Sequence, residues 1–139
     1  MGLDYGSRRI GVAMSDELQI TAQTVGTVIR KGLHRDIDEI AAIVSEYTAE
    51  KIVIGYPVRL DGTEGPECDR VSRFADLLES HLGIPVVKWD ESFTTQEALS
   101  ILLEADVSRK KRKQLVDKLA ASLILQGYLD SQKQSSGTA

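Results

Sequence analysis

MGLDYGSRRIGVAMSD, residues 1 to 16, is the stretch whose reading decides the fold. Leu3 and Asp4 close a very short apolar run, and Gly6-Ser7 turns the chain. Ile10, Val12 and Met14 then alternate with Gly11, Ala13 and Ser15 in the period of a strand. The pattern is a β-hairpin with a carboxylate at its tip. An acidic residue where a central strand ends, followed at once by a glycine turn, can hold a divalent metal or a metal-bound phosphate. Asp4 can equally do no more than start the turn, as Asp often does.

Working outward, Thr24, Val25, Thr27, Val28 and Ile29 suit a third strand from Ala22 to Ile29, which makes the hairpin a meander. Arg30, Lys31, His34 and Arg35 follow as a basic loop. Ile37, Ile40, Ala41, Val44 and Thr48 recur at helical spacing, with Asp36, Asp38, Glu39 and Glu46 outward. Lys51 to Tyr56, KIVIGY, is a near-continuous apolar run, the mark of a parallel strand buried on both faces. After the Asp61-Gly62 turn in RLDGTEGP, an amphipathic helix from Glu67 aligns Val71, Phe74, Leu78 and Leu82 and stops at Gly83. Pro85 to Trp89, PVVKW, reads as another buried strand, with Asp90, Glu91 and Ser92 directly past its end. A third helix is expected from Thr94 to Ala105. SRKKRKQ, residues 108 to 114, opens a last helix with Val116, Leu119, Ala120, Leu123, Ile124 and Tyr128 on a broad apolar face.

A chain of 139 residues, 42% of them apolar, supports one domain with a real core, placed here at residues 1–130. The Ser- and Gln-rich segment 131–139 reads as a disordered tail. A net charge of −4 excludes coating nucleic acid by bulk charge, so any such contact needs local basic patches. The single cysteine, Cys68, excludes an internal disulfide and a multi-cysteine zinc site. With no signal-like or membrane-length apolar segment, the expectation is a cytoplasmic protein without a membrane partner.

The order β-β-β-α-β-α-β-α-α predicts an α/β fold whose mixed five-stranded sheet joins a three-stranded antiparallel meander to two parallel strands, flanked by helices. If strand one lies beside KIVIGY, then Asp4, the Gly55 loop and Glu91 share the carboxyl edge of the sheet, where open α/β sheets place their sites. Carboxylates aimed at one edge repel unless a cation lies between them. Asp117, in LVDKLAASLIL, is a further candidate, because Ala120, Ala121 and Ser122 would let that helix approach the sheet closely. Its alternative is a place on the helix rim, paired with Lys113 or Lys118. Acids from two strand ends and a late helix match the ligand set of a metal-dependent phosphodiesterase, in which two cations sit about 3.5 to 4 Å apart.

DYGSRRIGVAMSD, IVIGYPVRLDGTEGP, WDESFTTQEA and VDKLAASLILQGYLD, in this order and spacing, resemble the YqgF family of RNase H-like nucleases, also described as Holliday junction resolvases. The resemblance implies a ribonuclease H-like fold, with Asp4, Glu91 and Asp117 as acidic residues binding Mg²⁺ or Mn²⁺. It also implies processing of the 5′ end of pre-16S rRNA. Two positions depart from the family: Ser92 stands where Arg is usual after the Asp-Glu pair, and Tyr56 where Leu or Phe is usual.

Arg109, Lys110, Lys111, Arg112 and Lys113 are candidates for phosphate contacts. A charge run is ordinarily a solvated helix start, but a helix N-terminus prefers acids, so this one asks for another benefit. Asp61 suits its turn better than support of the site, while Asp90 and Ser92 are candidate supporting groups beside Glu91. Trp89 reads as core, Cys68 as inert, and His34 and His81 lack ligand spacing.

Three function classes follow. The first is a metal-dependent endonuclease acting on structured RNA, or as a dimer on branched DNA, the chain being a monomer or weak homodimer. The second arises because DYGSRRIGVA also resembles the phosphate loop of sugar kinases and actin-like ATPases, which need two such domains. The third is a nucleic-acid-binding module without catalysis.

Overall fold

A computed structural model describes residues 1–59, 61–90 and 109–136, with the side chains of the last segment described from 119 to 133. Its strands are β1 (Gly2–Tyr5), β2 (Arg9–Ser15), β3 (Ala22–Ile29), β4 (Ile52–Tyr56) and β5 (Val86–Asp90). Its helices are α1 (Leu33–Tyr47), α2 (Pro66–Leu82) and α3 (Arg109–Ser136). The helix expected at 94–105 lies outside the described residues.

The sheet runs β3-β2-β1-β4-β5. β1, β2 and β3 pair antiparallel, while β1 with β4 and β4 with β5 pair parallel. This is the meander-plus-two arrangement that the order of elements predicts, and it fits the ribonuclease H-like α/β class that the resemblance implies. β1 is central, only four residues long, and Leu3 and Met1 are buried within it and beside it.

Strand alternation divides the core in two. Leu3, Ile10, Val12, Ile52 and Ile54 pack on one face against Ile37 and Ile40 of α1 and Val71, Phe74 and Leu78 of α2. Ala13 and Val53 pack on the other against Ala121, Ile124, Leu125 and Leu129 of α3. On that second face β1 and β2 offer glycine. A Cβ built on Gly2 would lie 2.7 Å from the Leu125 Cβ and 2.8 Å from the Ala121 carbonyl, and one on Gly11 would lie 3.4 Å from the Ala121 Cβ. The helix therefore rests almost on the strand backbone.

Four details differ from the sequence reading. Asp36 is fully buried rather than outward, because it accepts from the Lys31 amide at 2.9 Å and from Arg30 Nε at 3.4 Å. Leu119 is 37% exposed, since the stripe that meets the sheet is Ala121, Ile124, Leu125 and Leu129, and 119 is about half a helical turn away from it. The PVVKW strand starts at Val86 and is half-buried, because β5 is the edge of the sheet. Helix α3 continues to Ser136, past the expected start of a disordered tail; Gln132, Lys133 and Gln134 are good helix formers. No described helix is long and apolar enough to cross a membrane.

The close approach of α3 sets a graded expectation. Gly2→Ala should lower stability by about 1–3 kcal/mol through overpacking. Gly26→Ala, where an added Cβ meets nothing within 4 Å, should raise it by about 0.5–1 kcal/mol by restricting the unfolded chain. Urea melts that order these variants the other way would show that α3 does not rest on β1.

Candidate functional site

Because β1, β4 and β5 run parallel, their carboxyl ends meet at one edge of the sheet. Asp4 stands there, half-buried, on the penultimate position of β1. Its register partner is Gly11, and a Cβ built on Gly11 would lie 3.6 Å from the Asp4 Cβ and 3.4 Å from the Ala121 Cβ. Asp4 thus occupies the face that α3 crosses, with a glycine on one side and a small helix residue above. Position 117 is one helical turn before Ala121 in the same helix.

Asp90 is the last residue of β5, half-buried and in register with Tyr56. Glu91 and Ser92 lie outside the described residues, as do the side chains of Asp117 and of Arg109, Lys110, Lys111, Arg112 and Lys113. The structure therefore brings Asp4 and Asp90 to one edge. Among the described residues no group of three or more His, Cys, Asp or Glu is placed to hold a metal ion. What they do supply is a carboxylate with small neighbours, the hard oxygen donor that Mg²⁺ and Mn²⁺ prefer.

The loop after β4 lies at the same edge. Asp61 Oδ1 accepts from the Thr63 amide at 2.9 Å and the Thr63 hydroxyl at 2.6 Å, while the Gly62 amide donates to the Arg59 carbonyl at 2.8 Å. The carboxylate thus serves its own turn. The bonds from the Thr63 hydroxyl and amide hold the Asp61 carboxyl below the usual carboxylate range. At Tyr56 the Ser72 hydroxyl pulls the phenol down, but burial, the Glu64 carboxylate and Cys68 outweigh it and push the group above the usual tyrosine range. Tyr56 therefore stays neutral. Cys68 is buried and its thiol donates to the Pro57 carbonyl at 3.5 Å, which fits an inert packing role. Trp89 packs edge-on against Tyr128, centroids 5.9 Å apart, and its indole Nε1 is buried with no partner among the described residues.

Sequence reasoning missed a clamp behind Asp4. The Arg30 guanidinium lies 4.6 Å over the Tyr5 ring, donates to the Gly6 carbonyl at 3.3 Å and the Ser7 carbonyl at 3.5 Å, and pairs with buried Asp36. Tyr5 in turn stacks on Phe74 of α2 at 4.4 Å. The turn that follows Asp4 is thereby tied to both helices on the opposite face. Position 36 resembles any other first-turn acid in sequence, so nothing local marks it as buried. The glycine platform was missed as well, though isolated glycines within a strand often mark a close backbone approach.

Residues 1–131 match the family described as RuvX, Holliday junction resolvase. The chain belongs to the RuvX family. The match contains all four motifs that carry the YqgF resemblance. A relative from Syntrophus aciditrophicus (strain SB), described as a candidate pre-16S rRNA nuclease, is 59% identical over 134 residues, 96% of this chain and 89% of its own length. A relative from Halothermothrix orenii with the same description is 50% identical over 137 residues, 99% of this chain and 98% of its own. Among solved structures, T. thermophilus RuvC in complex with a Holliday junction substrate matches with a TM-score of 0.52 at 13% identity, covering 95% of this chain and 93% of that chain. The last likeness shows the fold alone.

The Asp61 turn gives a pH expectation. A carboxyl held below its ordinary value stabilises the folded loop above the unfolded pKa, and that contribution is lost as pH falls through the folded pKa. In a carbon-detected NMR titration, Thr63→Ala should move the Asp61 midpoint up toward the ordinary value near 3.9. An unmoved midpoint would mean that Thr63 does not hold this carboxylate.

Proposed function

We propose that this chain is a metal-dependent endonuclease that hydrolyses phosphodiester bonds at the Asp4 edge and processes the 5′ end of pre-16S rRNA. Asp4, Glu91 and Asp117 are its acidic residues. The observation that carries this reading is the place of Asp4: at the carboxyl end of a central strand, on the face crossed by α3, one turn of helix from position 117. The end of β5 at Asp90 supports Glu91 as its companion, because the chain leaves the sheet beside the end of β4. The substrate comes from the relatives, which share half or more of their residues with this chain over nearly its whole length.

A bound Mg²⁺ or Mn²⁺ would polarise the scissile phosphate and lower the pKa of an attacking water. The chain's own part is to present carboxylates from separate, rigid elements. β1 is paired on both sides, so the Asp4 backbone is ordered before any ligand arrives. Arg109, Lys110, Lys111, Arg112 and Lys113 open α3 in the turns before Asp117, which favours phosphate contacts close to the acids. Ser92 leaves out the guanidinium that the family usually carries beside Glu91, so substrate phosphates must be held by other cations.

The family's description, Holliday junction resolvase, favours a second substrate, branched DNA. Symmetric cleavage of a four-way junction needs two sites related by a dyad. A monomer or weak homodimer suits RNA, and a stable twofold dimer suits the junction.

Asp4→Asn, Glu91→Gln and Asp117→Asn should each slow Mg²⁺- or Mn²⁺-dependent cleavage of a pre-16S rRNA fragment by about 100-fold or more, the loss of several kcal/mol of transition-state stabilisation. Near-wild-type cleavage by Asp117→Asn would remove that residue from the site. Preferential cutting of a four-way junction would transfer the function to branched DNA. Millimolar Mg²⁺ should also raise the melting temperature of the wild type, and that of Asp4→Asn much less, by mass action on the folded state.

A further inference from the structure

The turns flanking Asp4 carry a concentration of positive charge that the catalytic reading leaves unused. The Gly6–Arg9 turn closes with a bond from the Gly6 amide to the Arg9 carbonyl at 2.9 Å, and the Arg30 amide bonds the Arg8 carbonyl at 2.9 Å. Arg9 is also in register with Ile29. The 6–9 turn and the 30–32 link are therefore docked side by side at the carboxyl end of β1. With the first turn of α1, into which the link leads, they carry Arg8, Arg9, Arg30, Lys31, His34 and Arg35 in a chain whose net charge is −4.

These cations are not equivalent. Arg30 is the clamp, bound to Asp36, Gly6 and Ser7, and Lys31 pairs with Glu39 at 3.1 Å. Arg8, Arg9 and Arg35 are exposed and form no ion pair among the described residues. Their placement runs against local preference. Lys31, His34 and Arg35 stand at the N-terminus of α1, where the helix dipole favours acids, and the acid of its first turn, Asp36, is engaged by Arg30 and the Lys31 amide.

We propose that the 6–9 turn, the 30–32 link and the start of α1 form a nucleic-acid-backbone surface, on which Arg8, Arg9 and Arg35 hold phosphates of the substrate beside the Asp4 edge. The inference rests on the nuclease reading and adds a contact region on the meander side of Asp4. It assigns backbone contacts, which position a substrate without reading its sequence.

Binding of a labelled structured RNA and a labelled four-way DNA junction, measured by anisotropy in EDTA across a salt series, tests it. The full-length triple variant Arg8→Ala, Arg9→Ala, Arg35→Ala should bind more weakly, with its salt slope reduced by about 2 to 3. Arg8→Lys, Arg9→Lys, Arg35→Lys keeps the charges and should keep the slope, and Lys51→Ala at the opposite edge should leave it unchanged. If the alanine triple does not fold, Arg8→Ala and Arg35→Ala singly should each lower the slope by about 0.7 to 0.9. An unchanged slope in the alanine variants, or an equal fall in the lysine triple, overturns the inference while wild-type binding leaves the nuclease reading standing. A wild type that binds neither probe overturns both. A reduced slope on RNA alone or on the junction alone identifies which backbone the surface serves.

Discussion

A helix can lie on a strand only where the strand has no side chains to hold it off, and the contact of α3 with Gly2 and Gly11 is the constraint on which this molecule depends. At 2.7 Å and 2.8 Å from an imagined Gly2 Cβ, the Leu125 Cβ and the Ala121 carbonyl leave no space for a methyl group. Ala121 must be small for the same reason. Two strand glycines and one helix alanine bring the α3 backbone over the end of β1, next to Asp4. A carboxylate beside small residues can accept an ion at its oxygens without displacing packed side chains, whereas an equally buried carboxylate among leucines would meet a prohibitive desolvation cost.

The opposite face of β1 explains why Asp4 can be so near a turn and still be fixed. A four-residue strand has little ladder of its own, and glycine at position 6 makes its exit flexible. The compensation comes from Tyr5 stacked on Phe74 and from Arg30, which spans the Tyr5 ring, two turn carbonyls and buried Asp36. Removing the Asp36 carboxylate would leave the Lys31 amide and the Arg30 guanidinium without a partner they now share, and unmet buried donors are costlier than the net worth of a bond. The clamp is thus a tertiary solution to an entropic problem posed by the shortness of β1.

The fold was legible where periodicity and length agree: the third strand at Ala22–Ile29, the buried run of β4, and the parallel placement of strand ends all follow from the sequence. The place of Asp4 near the carboxyl end of a central strand was legible from the short apolar run before it and the glycine turn after it. The burial of Asp36 was not, because burial of a first-turn acid is decided by Arg30, six residues earlier in the link between β3 and α1. Leu119 misled for a related reason. A helix with leucine on several sides does not say which stripe will meet a sheet; the glycines of the partner strands decide that, by choosing where the helix can come closest. β5 was read as buried on both faces because valine-rich strands look alike, whether central or at an edge.

The charge arrangement is best understood at short range. At physiological ionic strength charges are screened beyond roughly 8 Å. The net charge of −4 therefore does little to repel a polyanion from a surface whose nearest charges are arginines. What a phosphate backbone would meet at the meander side of the β1 edge is Arg8 and Arg9 at the 6–9 turn and Arg35 at the start of α1. The acids of the site face it only at contact distance, where a divalent cation can bridge the two like charges. On the proposed function, basic residues beside an acidic edge would divide the work: the cations would hold the strand, and the carboxylates would be kept for the ion. An acidic protein can bind an acid on these terms, provided that its positive charges are held close together, and here the Arg30 clamp holds them.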